Sequence, residues 1–124
     1  MLWGRMPIER ATALTYYHPG AYSSLLMYKL KYGNEPDIGV WFGEYMANSL
    51  MPYGVLDDID MVIPLPIHKR RERERGYNQS QEIARGIGDI SSIKVQNNIV
   101  ERSRYTVSQT KLTHTDRTKN VKGA

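Results

Sequence analysis

The chain has 124 residues, 40% of them hydrophobic, and a formal net charge of +4, which is the size and composition of one small globular domain. The absence of cysteine excludes disulfides, thiolate metal sites and thiol nucleophiles, and the three histidines lack metal-site spacing, so no metal ligands are predicted. No apolar run approaches the ~20 residues of a membrane span and no cleavable signal is visible, so we expect a cytoplasmic protein without membrane contact.

Charge is distributed unevenly along the chain. Residues 1–68 contain four basic and seven acidic side chains, whereas residues 69–124 contain thirteen basic and six acidic ones. The first part therefore has a net charge of −3 and the second a net charge of +7. Such segregation attracts phosphate groups, either on nucleic acid or on a small phosphorylated substrate.

The first half of the chain predicts an arm and two helices. Residues 1–19 are assigned to an N-terminal arm and residues 20–124 to one domain. A short helix ending before Gly33 has a predicted apolar face made of Tyr22, Leu25, Leu26 and Leu30. Pro36 begins a second helix, whose stripe of predicted core residues is Ile38, Trp41, Phe42, Tyr45, Met46 and Leu50.

The second half predicts a strand, a loop, a helix and a second strand. Residues 59–63 are typical of a buried strand, and residues 64–78 form the loop. A helix capped by Asn78 or Ser80 follows, and apolar residues then alternate from Ile93 to Ile99 in a second strand. The sequence thus predicts an α/β fold with parallel strands flanked by helices and an incomplete sheet.

The loop between the first strand and this helix is the strongest candidate for a binding site. Open α/β sheets bind ligands at the carboxyl ends of their strands, and a helix N-terminus with free N–H groups favours anions. Arg71, Arg75 and Asn78 are predicted to bind a phosphate or pyrophosphate, since a planar guanidinium contacts two phosphate oxygens at once. The alternative is a solvated basic turn, in which Glu72 and Glu74 offset their neighbours.

A second basic surface is predicted in the Thr-rich tail after residue 100. Its residues are Arg102, Arg104, Gln109, Arg117 and Asn120. The alternative for this tail is disorder. Tyr77 and Tyr105 lie near arginines, where they either stack on the bases of single-stranded nucleic acid or pack against the domain.

Two segments of the chain resemble the ComF-type phosphoribosyltransferase-like family. The first comprises residues 64–68 with Arg71 and the run Arg75-Gly76-Tyr77-Asn78-Gln79. The second comprises Arg102, Arg104, Thr106, Gln109, Leu112, Arg117, Asn120, Val121, Gly123 and Ala124. Residues 8–11 and 30–32 are also consistent with the family, so the resemblance extends over nearly the whole chain.

The resemblance implies part of a type I phosphoribosyltransferase fold that binds 5-phosphoribosyl-1-pyrophosphate with Mg²⁺. It places the pyrophosphate against the loop and adds Gly76 and Gln79 to the candidate residues, while catalytic residues stay unassigned. Family members usually also carry a cysteine-rich zinc ribbon, an acidic pair and a Thr/Gly-rich loop, which this sequence lacks. We therefore read the chain as the N-terminal half of the domain and expect it to be inactive alone, with an incomplete sheet that favours homo-oligomers.

Two other classes of function remain open. The family is linked to DNA uptake in competent bacteria, and the basic second half suits a component that binds single-stranded DNA. A non-catalytic scaffold for a partner protein is the third possibility. Affinity for single strands that falls steeply with ionic strength would favour the DNA-binding class.

Overall fold

The computed structural model describes residues 7–16, 18–106 and 114–121. The fold is mixed, and its elements are α1 (Tyr22–Tyr32), α2 (Pro36–Leu50) with a 3-10 turn (Met51–Tyr53), β1 (Met61–Val62), α3 (Lys69–Arg75), α4 (Gln79–Ser91), β2 (Lys94–Val95) and α5 (His114–Val121). Within the described ranges, no helix combines the length and the apolar character that a membrane crossing requires.

The two strands form a small parallel sheet. Val62 pairs with Val95, and the Gln96 N–H donates to the Val62 carbonyl at 3.0 Å. This confirms the predicted parallel strands joined through a helix. The prediction that residues 59–63 are buried is wrong, because α4 packs against the sheet while Met61 and Ile63 remain exposed.

The main packing contact lies between α2 and α4, whose backbones approach very closely. A Cβ atom at Gly43 would lie 2.0 Å from the Ile83 carbonyl oxygen, and one at Gly86 would lie 2.1 Å from the Val40 carbonyl oxygen. Neither position has room for a larger residue unless the helices move apart. We call this contact the glycine seam.

The glycine seam sets which residues of α2 are buried. Gly39, Phe42, Gly43 and Ala47 face inward, whereas Trp41 and Tyr45 are 50% and 53% exposed. The rings of Trp41 and Tyr45 stack on each other with centroids 5.5 Å apart. The prediction that these two aromatic residues belong to the core is wrong, because small residues form the contact with α4.

The first helix has the predicted extent but a different buried face. Leu30 is fully buried, whereas Tyr22 and Leu25 of the predicted apolar face are exposed. A hydrogen bond also links α1 to the rest of the domain at Leu30, because the hydroxyl of Tyr77 donates to the Leu30 carbonyl. Tyr77 is itself buried, so it packs against the domain and its ring does not offer a surface for stacking bases.

Part of the predicted loop is helical. The Nδ1 of His68 caps α3 by accepting the Arg70 N–H at 3.2 Å, and Gly76 ends the helix in the left-handed region with φ +89°. The Nε of Arg70 donates to Glu74 at 3.0 Å, one turn further along. Capping and this charge pair stabilise a helix that has no apolar periodicity.

Gly86→Ala is expected to destabilise the fold. The added methyl group meets the α2 backbone, so the helices must separate, and overpacking of this kind costs about 1–3 kcal/mol or more. Urea unfolding of the variant and of the wild type measures the difference. Asp89→Ala, at an exposed position of α4, is the control and should change stability by less than about 0.5 kcal/mol. Equal losses in the two variants would contradict the close helix contact.

Candidate anion-binding clefts

The basic residues after β1 line two clefts that lie against different faces of α3. The first, of about 490 Å³, lies where both parallel strands end, and we call it the carboxyl-edge cleft. Its polar lining includes Lys69, Asn78, Gln81, Asn97, Asn98 and Arg102. The second, of about 520 Å³, lies between the ends of α1 and α3, and we call it the α1–α3 cleft. Its lining includes Lys31, Tyr32, Arg71, Arg73, Arg75 and Gly76.

Asn78 joins the loop after β1 to the start of α4. Its side chain is 8% exposed, its Oδ1 accepts the Ser80 N–H at 3.0 Å, and its Nδ2 donates to the Leu65 carbonyl at 3.0 Å. The main-chain carbonyl of Asn78 accepts the N–H groups of Gln81 and Glu82. Several first-turn donors of α4 are thus bonded within the chain, so the positive potential at this helix end comes from the helix dipole and not from free N–H groups.

Arg102 contributes an unsatisfied donor to the carboxyl-edge cleft. Its Nε is buried and has no hydrogen-bond partner among the described residues. A buried polar group without a partner costs free energy, and an anion in the cleft would supply the missing acceptor. Lys69 adds a second positive charge, but Glu72 and Glu101 also line the cleft, so its side chains have no net formal charge. The sequence predicts Arg102 on a separate surface, but the structure places it in the same cleft as Asn78.

Arg71 and Arg75 line the other cleft and are held by uncharged acceptors. Arg71 donates from Nη2 to the Thr106 carbonyl at 2.9 Å, and Arg75 donates to the side-chain carbonyl of Gln79. Burial lowers the pKa of the Arg75 guanidinium from its ordinary value, and the positive charge of Arg71 lowers it as well. The predicted set Arg71, Arg75, Gly76, Asn78 and Gln79 therefore does not converge on one point, since Asn78 faces a different cleft.

The sequence-based reasoning missed the contribution of α1 to this second cleft. Lys31 and Tyr32 lie some forty positions before Arg71, and the guanidinium carbon of Arg75 lies 5.8 Å from the centroid of the Tyr32 ring. The only local signal was the pair of lysines, Lys29 and Lys31, in the last turn of α1. Proximity of this kind depends on tertiary packing, which the spacing of residues in one segment does not reveal.

Tyr105 holds the segment after β2 against α3. The guanidinium carbons of Arg70 and Arg71 lie 4.8 Å and 5.4 Å from its ring centroid, and the ring of His68 meets it edge to face at 5.4 Å. Cation–π contacts of this type contribute about 0.5–1 kcal/mol each at exposed sites. Because Arg102 belongs to the same segment, this contact helps to place it in the carboxyl-edge cleft.

The remaining candidates of the predicted basic surface are only partly described. Arg104 is exposed after β2 and Arg117 is exposed on α5, and each has an interaction within the chain. Gln109 and the side chain of Asn120 lie outside the described residues. Within the ranges that the structure describes, no group of three or more histidine or acidic residues could hold a metal ion.

Comparison with known proteins gives one partial match. The chain is 35% identical over 65 residues to the protein named Competence protein F of Haemophilus influenzae. The matched segment covers 52% of this chain and 28% of that protein. No family model matches the chain, and no solved structure matches it. The similarity supports the resemblance to the ComF-type family over the matched segment.

The contributions of the two Asn78 side-chain hydrogen bonds to stability can be measured separately by substitution. Asn78→Ala should lower the free energy of unfolding by about 2 kcal/mol, from a lost helix cap worth about 1 kcal/mol and a lost loop hydrogen bond of similar size. Asn78→Ser keeps a capping oxygen and should recover about half of this loss. Chemical denaturation of the wild type and the two variants measures the contributions of the helix cap and of the loop hydrogen bond to the free energy of unfolding. If Asn78→Ser were no more stable than Asn78→Ala, the capping role would be refuted.

Proposed function

We propose that this chain supplies the pyrophosphate-binding part of a ComF-type, phosphoribosyltransferase-like protein, and that the pyrophosphate lies in the carboxyl-edge cleft. One observation carries the proposal: among the described residues, no acceptor meets the buried Nε of Arg102, which lies at the sheet edge where α/β proteins bind ligands. The matched segment of a competence protein and the family-like motifs support it. The donor that this class implies is 5-phosphoribosyl-1-pyrophosphate.

The chain's own residues have distinct roles in this proposal. Arg102 and Lys69 supply positive charge, and the N-terminal dipole of α4 adds to it. Asn78 fixes the loop that leads to Lys69. Positive charge held in place beside a departing pyrophosphate stabilises the charge that develops on it. No group of three or more histidine or acidic side chains that could hold a metal ion occurs among the described residues, and no step is assigned to a metal ion.

Titration calorimetry with inorganic pyrophosphate tests the proposed site. Arg102→Gln should weaken the affinity at least tenfold, because it removes a charge-assisted donor from a partly desolvated cleft. Arg85→Gln is the matched control, since Arg85 is exposed on α4 and pairs with Glu82 at 2.7 Å, away from the lining of this cleft. Unchanged affinity in Arg102→Gln, or an equal loss in both variants, would refute the assignment.

A second candidate function is the binding of single-stranded DNA. The exposed rings of Tyr28 and Tyr32 lie with centroids 5.0 Å apart on α1, beside Lys29 and Lys31. Aromatic rings next to cations form a platform on which bases stack, worth about 1–3 kcal/mol per base. The name of the matched relative is in keeping with this candidate.

Fluorescence anisotropy with a labelled single-stranded oligonucleotide tests this second function. We expect Tyr28→Ala to weaken binding about five-fold or more, and the affinity of the wild type to fall steeply with salt. Tyr53→Ala, which removes a highly exposed tyrosine from the 3-10 turn, should leave the affinity unchanged. Undetectable binding at low salt would eliminate this function.

A further inference from the structure

We propose that the α1–α3 cleft is a second anion site, which binds the phosphoryl group of a small phosphate-bearing ligand. The cleft has a volume of about 520 Å³, enough for a phosphate ester and the first groups attached to it. It is lined by residues of α1, the turn after it, α3 and Gly76, none of which lines the carboxyl-edge cleft. This site is independent of the proposed pyrophosphate site.

The first argument is the excess of positive charge in the cleft. Lys31, Arg71, Arg73 and Arg75 line it, and Glu74 is the one carboxylate among the described lining residues. Glu74 already accepts a hydrogen bond from the Nε of Arg70 at 3.0 Å, so much of its charge is offset by a residue outside the cleft. Four cations therefore face a shared space with little compensating negative charge.

The second argument is the nature of the partners that hold the two inner arginines. Arg71 is bonded to a main-chain carbonyl and Arg75 to a side-chain amide, and within the described residues neither forms an ion pair. Both are partly buried, and the positive charge of Arg71 contributes to the lowered pKa of Arg75. Neutral acceptors hold the guanidinium groups in place without neutralising them, and a phosphate would supply the missing negative charge.

The C-terminal ends of the helices at this cleft disfavour an anion, but their partial negative charge is smaller than the positive charge of the side chains. Both α1 and α3 finish here, and the carboxyl end of a helix carries a partial negative charge of about one half. The N–H groups of Gly33 and Gly76 each donate at 2.7 Å to a last-turn carbonyl, which satisfies part of that charge. The four cations and the one carboxylate, Glu74, leave a net side-chain charge that exceeds what remains, so the cleft has a net preference for anions.

Amide NMR with inorganic phosphate, titrated against chloride at constant ionic strength, tests the proposal on the whole chain. We expect saturable shifts at residues 31–34 and 73–76. Lys31→Gln and Arg73→Gln, both at exposed positions, should each weaken this binding about three- to ten-fold. A second titration with adenosine monophosphate distinguishes a phosphate ester from free phosphate as the ligand. Shifts at the same amides indicate a phosphate ester, and shifts with inorganic phosphate alone indicate the free ion.

Two control variants separate this site from the other cleft and from surface charge. Arg102→Gln should leave the shifts at residues 31–34 and 73–76 intact, whether or not the carboxyl-edge cleft binds pyrophosphate. Arg85→Gln removes one positive charge elsewhere on the surface and should also leave them intact. The proposal is overturned if neither phosphate nor adenosine monophosphate shifts these amides, or if Arg85→Gln weakens binding as much as Arg73→Gln does.

Discussion

The close approach of α2 and α4 at the glycine seam is the constraint on which the rest of the structure depends. Gly43 and Gly86 allow the two backbones to come within a distance that no side chain would permit. Because the described residues form only two short strands, α4 takes its position chiefly from α2. The start of α4 then lies at the carboxyl edge of the sheet, where Asn78 bonds it to the loop after β1. The cleft in which Arg102 lies is therefore a consequence of the helix contact behind it.

The second organising feature is α3, which divides one basic run between two clefts. In the sequence, residues 69–75 form a continuous stretch of charge. Once this stretch is helical, Lys69 and Glu72 line the carboxyl-edge cleft, whereas Arg71, Arg73 and Arg75 line the α1–α3 cleft. Arg70 and Arg71 also contact the ring of Tyr105, which ties the segment containing Arg102 to the same helix. One two-turn helix thus shapes both anion-binding regions.

Local signals predicted the elements better than their contacts. The turn at Gly33, Pro36 and the Asn78 cap marked helix boundaries, because these signals act within a few residues of the chain. The buried face of α2 could not be predicted, because apolar periodicity favours Trp41 as core whereas the packing selects the small residues. The helix α3 gave no periodic signal, and the cleft that Arg102 and Asn78 both line is formed by residues from separate segments. Those contacts come from tertiary packing, which overrides a one-dimensional pattern.

The sequence left open whether the basic run is an anion-binding loop or a solvated turn, and the structure shows features of both. Arg70 and Glu74 form an exposed pair one turn apart, as expected for a solvated turn whose charges offset each other. Arg71 and Arg75 differ, because they are partly buried and their acceptors carry no charge. Their partial burial carries a desolvation cost, which the neutral acceptors and the rings of Tyr105 and Tyr32 offset without neutralising the positive charge. The anion proposed for the α1–α3 cleft would supply the negative charge that neither arginine receives from the described residues.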